Sequence, residues 1–174
     1  MLASLPSRPD LSEAEVALLR QVAGGHLNEP VSRATGIVTA EVGPAIKALT
    51  ARLGTPHRHR AAALGAAWGW VRTEDVPVSH PTGLPLPRRQ QEVLAGLVAG
   101  EEPGKTAKRL GLAESTVRTY IQNIHRTLGV RSRQQAAALA VLSGIVSLSA
   151  LGDGWPDTRL TENDSPTAEP PTAG

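Results

Sequence analysis

Displaced by 75 residues, the chain aligns with itself without a gap, Leu11–Val71 over Leu86–Val146, with 15 identities in 61 positions. The identities include Leu19/Leu94, Gly36/Gly111, Val42/Val117, Ile46/Ile121, Leu53/Leu128, Gly54/Gly129 and the block Ala61–Leu64 over Ala136–Leu139. Such a period restricts the chain to two small units of one kind, each burying a related core. Nearly all the matches are apolar or glycine, so the units share core and turns and differ in surface.

The remaining segments fall around these units. Residues 1–10 form an N-terminal extension to the first unit, 11–71. Residues 72–85, RTEDVPVSHPTGLP, contain three prolines and a glycine. Proline fixes its own φ and restrains its predecessor, so an extended linker is expected there. The second unit occupies 86–151. Beyond it, residues 152–174 carry five acidic residues against Arg159, with several prolines and few apolar side chains. That composition predicts disorder.

Each unit reads as four short helices. In the second, QQEVLAGLVAG brings Val93, Leu94, Leu97 and Val98 to one side before Gly100 stops it. KTAKRLG follows and stops at Gly111. ESTVRTYIQNIHRTLG then spaces Val117, Ile121, Ile124 and Leu128 as a single buried stripe. Ser132 is placed to cap the last helix, which Gly144 ends. No segment sustains the two-residue alternation of a strand. The expected fold is all-α, with two tandem four-helix helix-turn-helix units, a Pro-rich linker and a disordered acidic tail.

A short helix, a glycine turn and a helix with one apolar stripe and a polar outer face make the helix-turn-helix layout. Opposite the stripe stand Ser115, Thr119, Gln122 and Arg126, flanked by Arg118 and Asn123. Arginine can pair with guanine, and glutamine or asparagine with adenine. In EVLAGLVAG, AKRLGL and ESTVRTYIQNIHRTLGVRSRQQAAALA the second unit closely resembles the LuxR-type (GerE- or FixJ-type) DNA-binding domain. The resemblance implies a third helix, 114–128, that enters the major groove of double-stranded DNA, and a fourth that often makes a dimer. Position by position, it implies base contacts by Arg118, Thr119 and Gln122. Phosphate contacts are implied for Lys105, Ser115, Thr116, Tyr120, Arg126 and Arg131. A net charge of +5 over Leu86–Val146 agrees with a phosphate footprint.

One stretch departs from the family. Where it has serine-asparagine-lysine-glutamate-isoleucine, this chain has Glu102, Pro103, Gly104, Lys105 and Thr106. Pro103 suits a first helical turn. Glu101 and Glu102 are expected to face phosphates unfavourably, and Thr106 to weaken an apolar contact.

The first unit keeps the stripe, as Val42, Ile46, Leu49 and Leu53, and loses the reading face. Its outward positions are Ala40, Pro44, Lys47 and Ala51, flanked by Gly43 and Ala48. Pro44 implies a third helix that either starts late or bends. An Ala/Gly/Pro face admits close approach of another helix, so dimerisation or partner binding is expected of this unit rather than DNA reading. Trp68 and Trp70 are expected to anchor a core or an interface. The assemblies this reading allows are a homodimer through the fourth helices or the first unit, and a protein partner at the first unit.

Other classes are removed by composition. There is no cysteine, hence no disulfide, thiolate zinc site or cysteine nucleophile. The only aromatics are Trp68, Trp70, Tyr120 and Trp155, too few for a base-stacking platform. AGEEPGKT, Ala99–Thr106, loosely matches a Walker A loop, but that loop must follow a strand. His57 and His59 have no further ligand near them in sequence, so neither metal nor cofactor is expected. No nucleophile–base pair or carboxylate dyad supports an enzyme. The most apolar run, Ala136–Gly152, is broken by glycine and serines and falls short of the ~20 residues of a membrane span. A cytoplasmic protein with no membrane contact is expected. The reading is a bacterial, sequence-specific transcription regulator. The alternative is an interaction module for another regulator or RNA polymerase, with little or no DNA contact.

Overall fold

The computed structural model describes residues 6–159. Eight α-helices and two short 3₁₀ turns occur among them, and no strand. The first unit comprises α1 (Glu13–Ala23), α2 (Asn28–Thr35), α3 (Thr39–Arg52) and α4 (Arg58–Ala67). The second comprises α5 (Arg88–Ala99), α6 (Pro103–Leu110), α7 (Glu114–Leu128) and α8 (Arg133–Leu142). Each helix of the second unit begins 75 residues after its counterpart: Glu13 and Arg88, Asn28 and Pro103, Thr39 and Glu114, Arg58 and Arg133. The 3₁₀ turns, Thr73–Asp75 and Leu148–Leu151, keep the same spacing.

Local chemistry sets these boundaries. Ser12 and Ser132 cap α1 and α8, each in a reciprocal box with Glu15 or Gln135 three residues on. Pro103 occupies the first turn of α6, where no amide hydrogen is missed. Helix α3 does not start late but begins at Thr39 and runs through Pro44. The carbonyl that loses its partner belongs to Ala40, which is exposed and open to water. Val42, Ile46, Leu49 and Leu53 are buried as the spacing requires, and so are Val117, Ile121 and Ile124; Leu128 is only partly buried.

Helices α4 and α8 form the centre. Residues 61–67 of α4 and 135–141 of α8 are buried without interruption, mostly alanine. A helix apolar all round must be covered all round, and here each covers the other while also packing on its own unit's first helix. The contact is self-complementary. Arg60 on α4 donates to the carbonyl of Ala99 at 2.8 Å, and Gln135, its counterpart on α8, donates to that of Gly24, the counterpart of Ala99, at 2.8 Å. The close approaches match too. A Cβ on Gly25 would lie 2.6 Å from Ser132 Oγ, and one on Gly100 would meet Arg60 at 2.9 Å and His57 at 3.4 Å. This is the pattern of a two-fold dimer interface, made within one chain. Each fourth helix thus has a partner within the chain, which a homodimer through the fourth helices would have to displace.

Two segments differ from expectation. The linker is not wholly extended. Asp75 accepts from the Arg72 amide at 2.8 Å and lies 3.6 Å from Arg20, which holds the 3₁₀ turn. Beyond it the Ser79 and Thr82 amides donate to the Gly129 and Thr127 carbonyls at 2.8 and 3.0 Å. Residues 152–159, expected to belong to a disordered tail, are instead tied to the rest of the chain at two points, although most of them are exposed. Trp155 lies 5.4 Å from Trp68, and the Thr158 carbonyl accepts from the Leu148 amide at 2.7 Å. The remainder of that tail, 160–174, lies outside the described residues. Trp68 and Trp70 are both buried and meet edge-on at 5.6 Å. Arg8 lies over the Trp70 ring at 4.4 Å, and Trp68 Nε1 donates to the Pro6 carbonyl at 3.3 Å, so 6–10 straps the first unit.

A continuous core predicts one cooperative unfolding transition for both units. Gln135→Ala should lower stability by about 1–3 kcal/mol, because the buried Gly24 carbonyl loses its donor. Urea titration followed by tryptophan fluorescence and by circular dichroism checks both points; two separated transitions would contradict the shared core.

Candidate nucleic-acid interface

Helices α6 and α7 meet across the turn that Gly111 makes in the left-handed region, at φ 66°. Helix α7 buries Val117, Ile121 and Ile124 and thereby turns the other side of the helix to solvent. On that side Ser115, Arg118, Thr119, Gln122 and Arg126 are all exposed. Lys105 is exposed on α6, and Arg131 is exposed in the turn after α7. Thr116 and Tyr120 are half-buried, and Tyr120 packs against the core.

Hydrogen bonds order part of this face. Glu114 accepts from Arg118 Nη2 at 2.6 Å and Nε at 3.2 Å, one turn apart on α7. Thr119 donates to the Ser115 carbonyl at 3.1 Å. Neither α6 nor α7 has a side-chain cap; the Lys105 and Thr116 amides donate to the Glu102 and Ala113 carbonyls at 3.0 and 3.1 Å, which leaves the amide of Gly104 on α6 and those of Glu114 and Ser115 on α7 without intrahelical partners. Such amides favour phosphate oxygens. Among the described residues Lys105, Lys108, Arg126 and Arg131 make no ion pair. Lys108 was not singled out by the motif, although three-residue spacing puts it beside Lys105 on one face of α6.

Glu101 and Glu102 require a correction: neither faces outward as a bare acid. Glu101 is buried and receives Arg109 Nε at 2.9 Å and the Thr106 hydroxyl at 2.8 Å. Burial pushes its pKa up, but those bonds win and hold it below the usual range. Thr106 is buried, with its hydroxyl satisfied by Glu101. Glu102 pairs with Arg133 at 3.0 Å and lies 3.3 Å from His57 Nδ1. A third donor therefore stands beside His57 and His59 after all, supplied by the other unit. The Ala99–Thr106 segment joins two helices, with no strand before it.

The corresponding face of the first unit differs in kind. Ala40, Pro44, Lys47, Ala48 and Ala51 are exposed on α3, and Leu27 and Val38, which precede α2 and α3, are exposed too. A mostly apolar groove of about 640 Å³ lies beside α3, lined by Gly43, Ile46, Lys47, Ala51 and Pro56 among others.

Residues 84–140 match the family described as "Bacterial regulatory proteins, luxR family". They form a LuxR-type helix-turn-helix domain. The chain is 42% identical over 72 residues to "Probable HTH-type transcriptional regulator GfsR" of Streptomyces halstedii, covering 41% of this chain and 27% of that protein. It is 40% identical over 62 residues to "Transcriptional regulatory protein LnrK" of Bacillus subtilis (strain 168), covering 36% of this chain and 28% of the other. The chain thus spans under a third of the length of these relatives. No solved structure matches it. No helix among the described residues is long and apolar enough to cross a membrane.

His125, on α7, adds a pH dependence. Burial lowers its pKa below 6.5, the nearby Arg133 lowers it further, and its buried Nε2 has no hydrogen-bond partner. The unfolded chain takes up a proton near pH 6.5 that the native imidazole refuses, so stability should fall from about pH 6.5 downward and be flat just above. His125→Gln should flatten part of that slope in thermal melts between pH 7 and 5. Equal slopes in both proteins would exclude this imidazole as the group.

Proposed function

We propose that this chain is a sequence-specific DNA-binding transcription regulator that reads the major groove with α7. The observation that carries the reading is the solvent side of α7 within the matched LuxR-type domain: Arg118, Thr119 and Gln122 are all exposed there. The names of its relatives, transcriptional regulators, agree. In this reading Arg118 takes a guanine and Gln122 an adenine, with Thr119 beside them. Lys105, Ser115, Thr116, Tyr120, Arg126 and Arg131 take phosphates, and Lys108 joins them.

Residues 11–71 are then a degenerate copy of the reading unit 86–151, joined to it by the linker 72–85. The common helix register and the self-complementary α4–α8 contact support this duplication. The chain is in effect a dimer with one reading helix, so a single chain should occupy a single, non-palindromic half-site. Joining a second chain or another protein falls to the first unit. A second reading, an interaction module for another regulator or RNA polymerase, is favoured by the exposed Leu27 and Val38 and by the mostly apolar groove along α3.

The test is selection of bound fragments from genomic DNA by the full chain and by Arg118→Ala/Gln122→Ala. The expected result is an asymmetric motif that the double variant loses. No enrichment by a folded wild-type protein would shift the reading to the interaction module. In equilibrium binding, Arg118→Ala should cost roughly 1–3 kcal/mol on the selected site and relax one base position. Lys105→Ala should weaken specific and random DNA alike. With the four unpaired cations as the main phosphate-facing charges, log K against log salt should slope at about −3 to −4; a flat line would exclude a phosphate footprint.

A further inference from the structure

Beside the α4–α8 contact, three helices of the two units begin close together: α4, α6 and α8. His57 immediately precedes α4, His59 lies in its first turn, and Glu102 immediately precedes α6. One ligand atom from each lies within 4.8 Å of the other two. His57 Nδ1 stands 3.3 Å from Glu102 Oε1, while Arg133 binds the other carboxylate oxygen, Oε2, at 3.0 Å. His59 is only 5% exposed, and although its ring lies near the Glu101 backbone, its Nε2 has no hydrogen-bond partner among the described residues.

A simple ion pair explains His57 and Glu102. It does not explain a buried, unpartnered nitrogen on the neighbouring ring, since buried polar atoms in native proteins are normally satisfied. Burial lowers the pKa of His59 and favours its neutral form, which has a lone pair to give. Two imidazoles and one carboxylate are a donor set suited to a borderline divalent ion, with water as fourth ligand. The bond from Arg133 fixes the carboxylate from its far oxygen, as partners of metal-bound carboxylates commonly do.

We propose that His57, His59 and Glu102 bind a divalent transition-metal ion of the zinc class, clamped between the first unit and the second. In a tetrahedral site with bonds of about 2.0–2.1 Å the donor atoms must draw closer than 4.8 Å. The side chains of His57 and Glu102 are 34% and 53% exposed and have room to turn. Arg58 and Arg133 nearby oppose a cation, so the site must act through ligand bonds rather than through bulk charge. Because two ligands come from the N-terminal end of α4 and one from the α5–α6 turn, the ion would tie the units together and fix Glu102, three residues before Lys105. The inference does not depend on DNA binding.

The test uses the full chain stripped with chelator and titrated with ZnCl₂ by calorimetry and with Co²⁺ by visible absorption. The expected result is one ion per chain, a Co²⁺ spectrum of tetrahedral intensity and a raised melting temperature with Zn²⁺. His57→Gln and Glu102→Gln, at half-exposed positions, should each weaken binding at least tenfold with helix content unchanged. His26→Gln, an exposed histidine elsewhere, should leave it intact. No binding by the wild type, or binding undiminished in His57→Gln/Glu102→Gln, would overturn the site.

Discussion

Two alanine-rich helices that cannot face water set the architecture. α4 and α8 are buried along almost their whole lengths, and a domain of about 60 residues has too little core of its own to cover such a helix on every side. Each unit therefore completes the other. Alanine permits this by letting the backbones approach closely, and the paired bonds of Arg60 and Gln135 fix the register, each to the last turn of the opposite unit's first helix. The Gly25 and Gly100 approaches leave no room for a side chain at either place. Everything outside that seam is free to differ between the units, and it does differ.

The consequence for function is geometric. When helices of this kind join two separate chains, both halves carry the same outward helix. Here the join is covalent and internal, so the halves need not stay alike. Arg118, Gln122 and Arg126 on α7 have Gly43, Lys47 and Ala51 as their counterparts on α3. Pro44 stands where Thr119 does and removes a hydrogen bond from α3 as well. A helix so altered is a poor reader of base edges, while the stripe beneath it is buried as fully as in the second unit.

Much of this was legible in the sequence. The helices of the two units start 75 residues apart as the repeat does, although α5 and α6 begin two residues ahead of the runs read from the sequence; the glycines placed the turns, and the apolar stripe oriented α7. What was hidden depends on separations that no local pattern encodes. An Ala-rich helix looks the same whether its partner lies in the same chain or another, so the α4–α8 pairing was not readable. Glu101 looks like an exposed acid until Arg109, two turns along, is seen to fold back over it. His57 and His59 look isolated until the second unit brings Glu102 beside them. Trp155 belongs to a segment polar enough to predict disorder, and only the ring of Trp68, far back in the chain, gives it a place.

Charge illustrates the same limit at the binding face. A net charge of +5 for the second unit says little about where a phosphate would meet it. Arg109 is turned to Glu101 and Arg133 to Glu102, while Arg88 and Arg89 share Glu92 on the far helix. These pairs remove the two acids nearest the start of α6 from the face that the cations occupy. Lys105 and Lys108 on α6, and Arg126 and Arg131 at the end of α7, thus keep their charge while the carboxylates that would oppose it are neutralised by inward partners. Two acids that look bare when read one residue at a time are paired by their own neighbours. Arg118 alone remains held by an acid on the face itself, Glu114. That pair is solvent-exposed, so its net strength is small. A guanine edge can replace one carboxylate with two acceptors in the plane of the guanidinium. The pairing therefore keeps Arg118 extended along α7 without locking it away from a base.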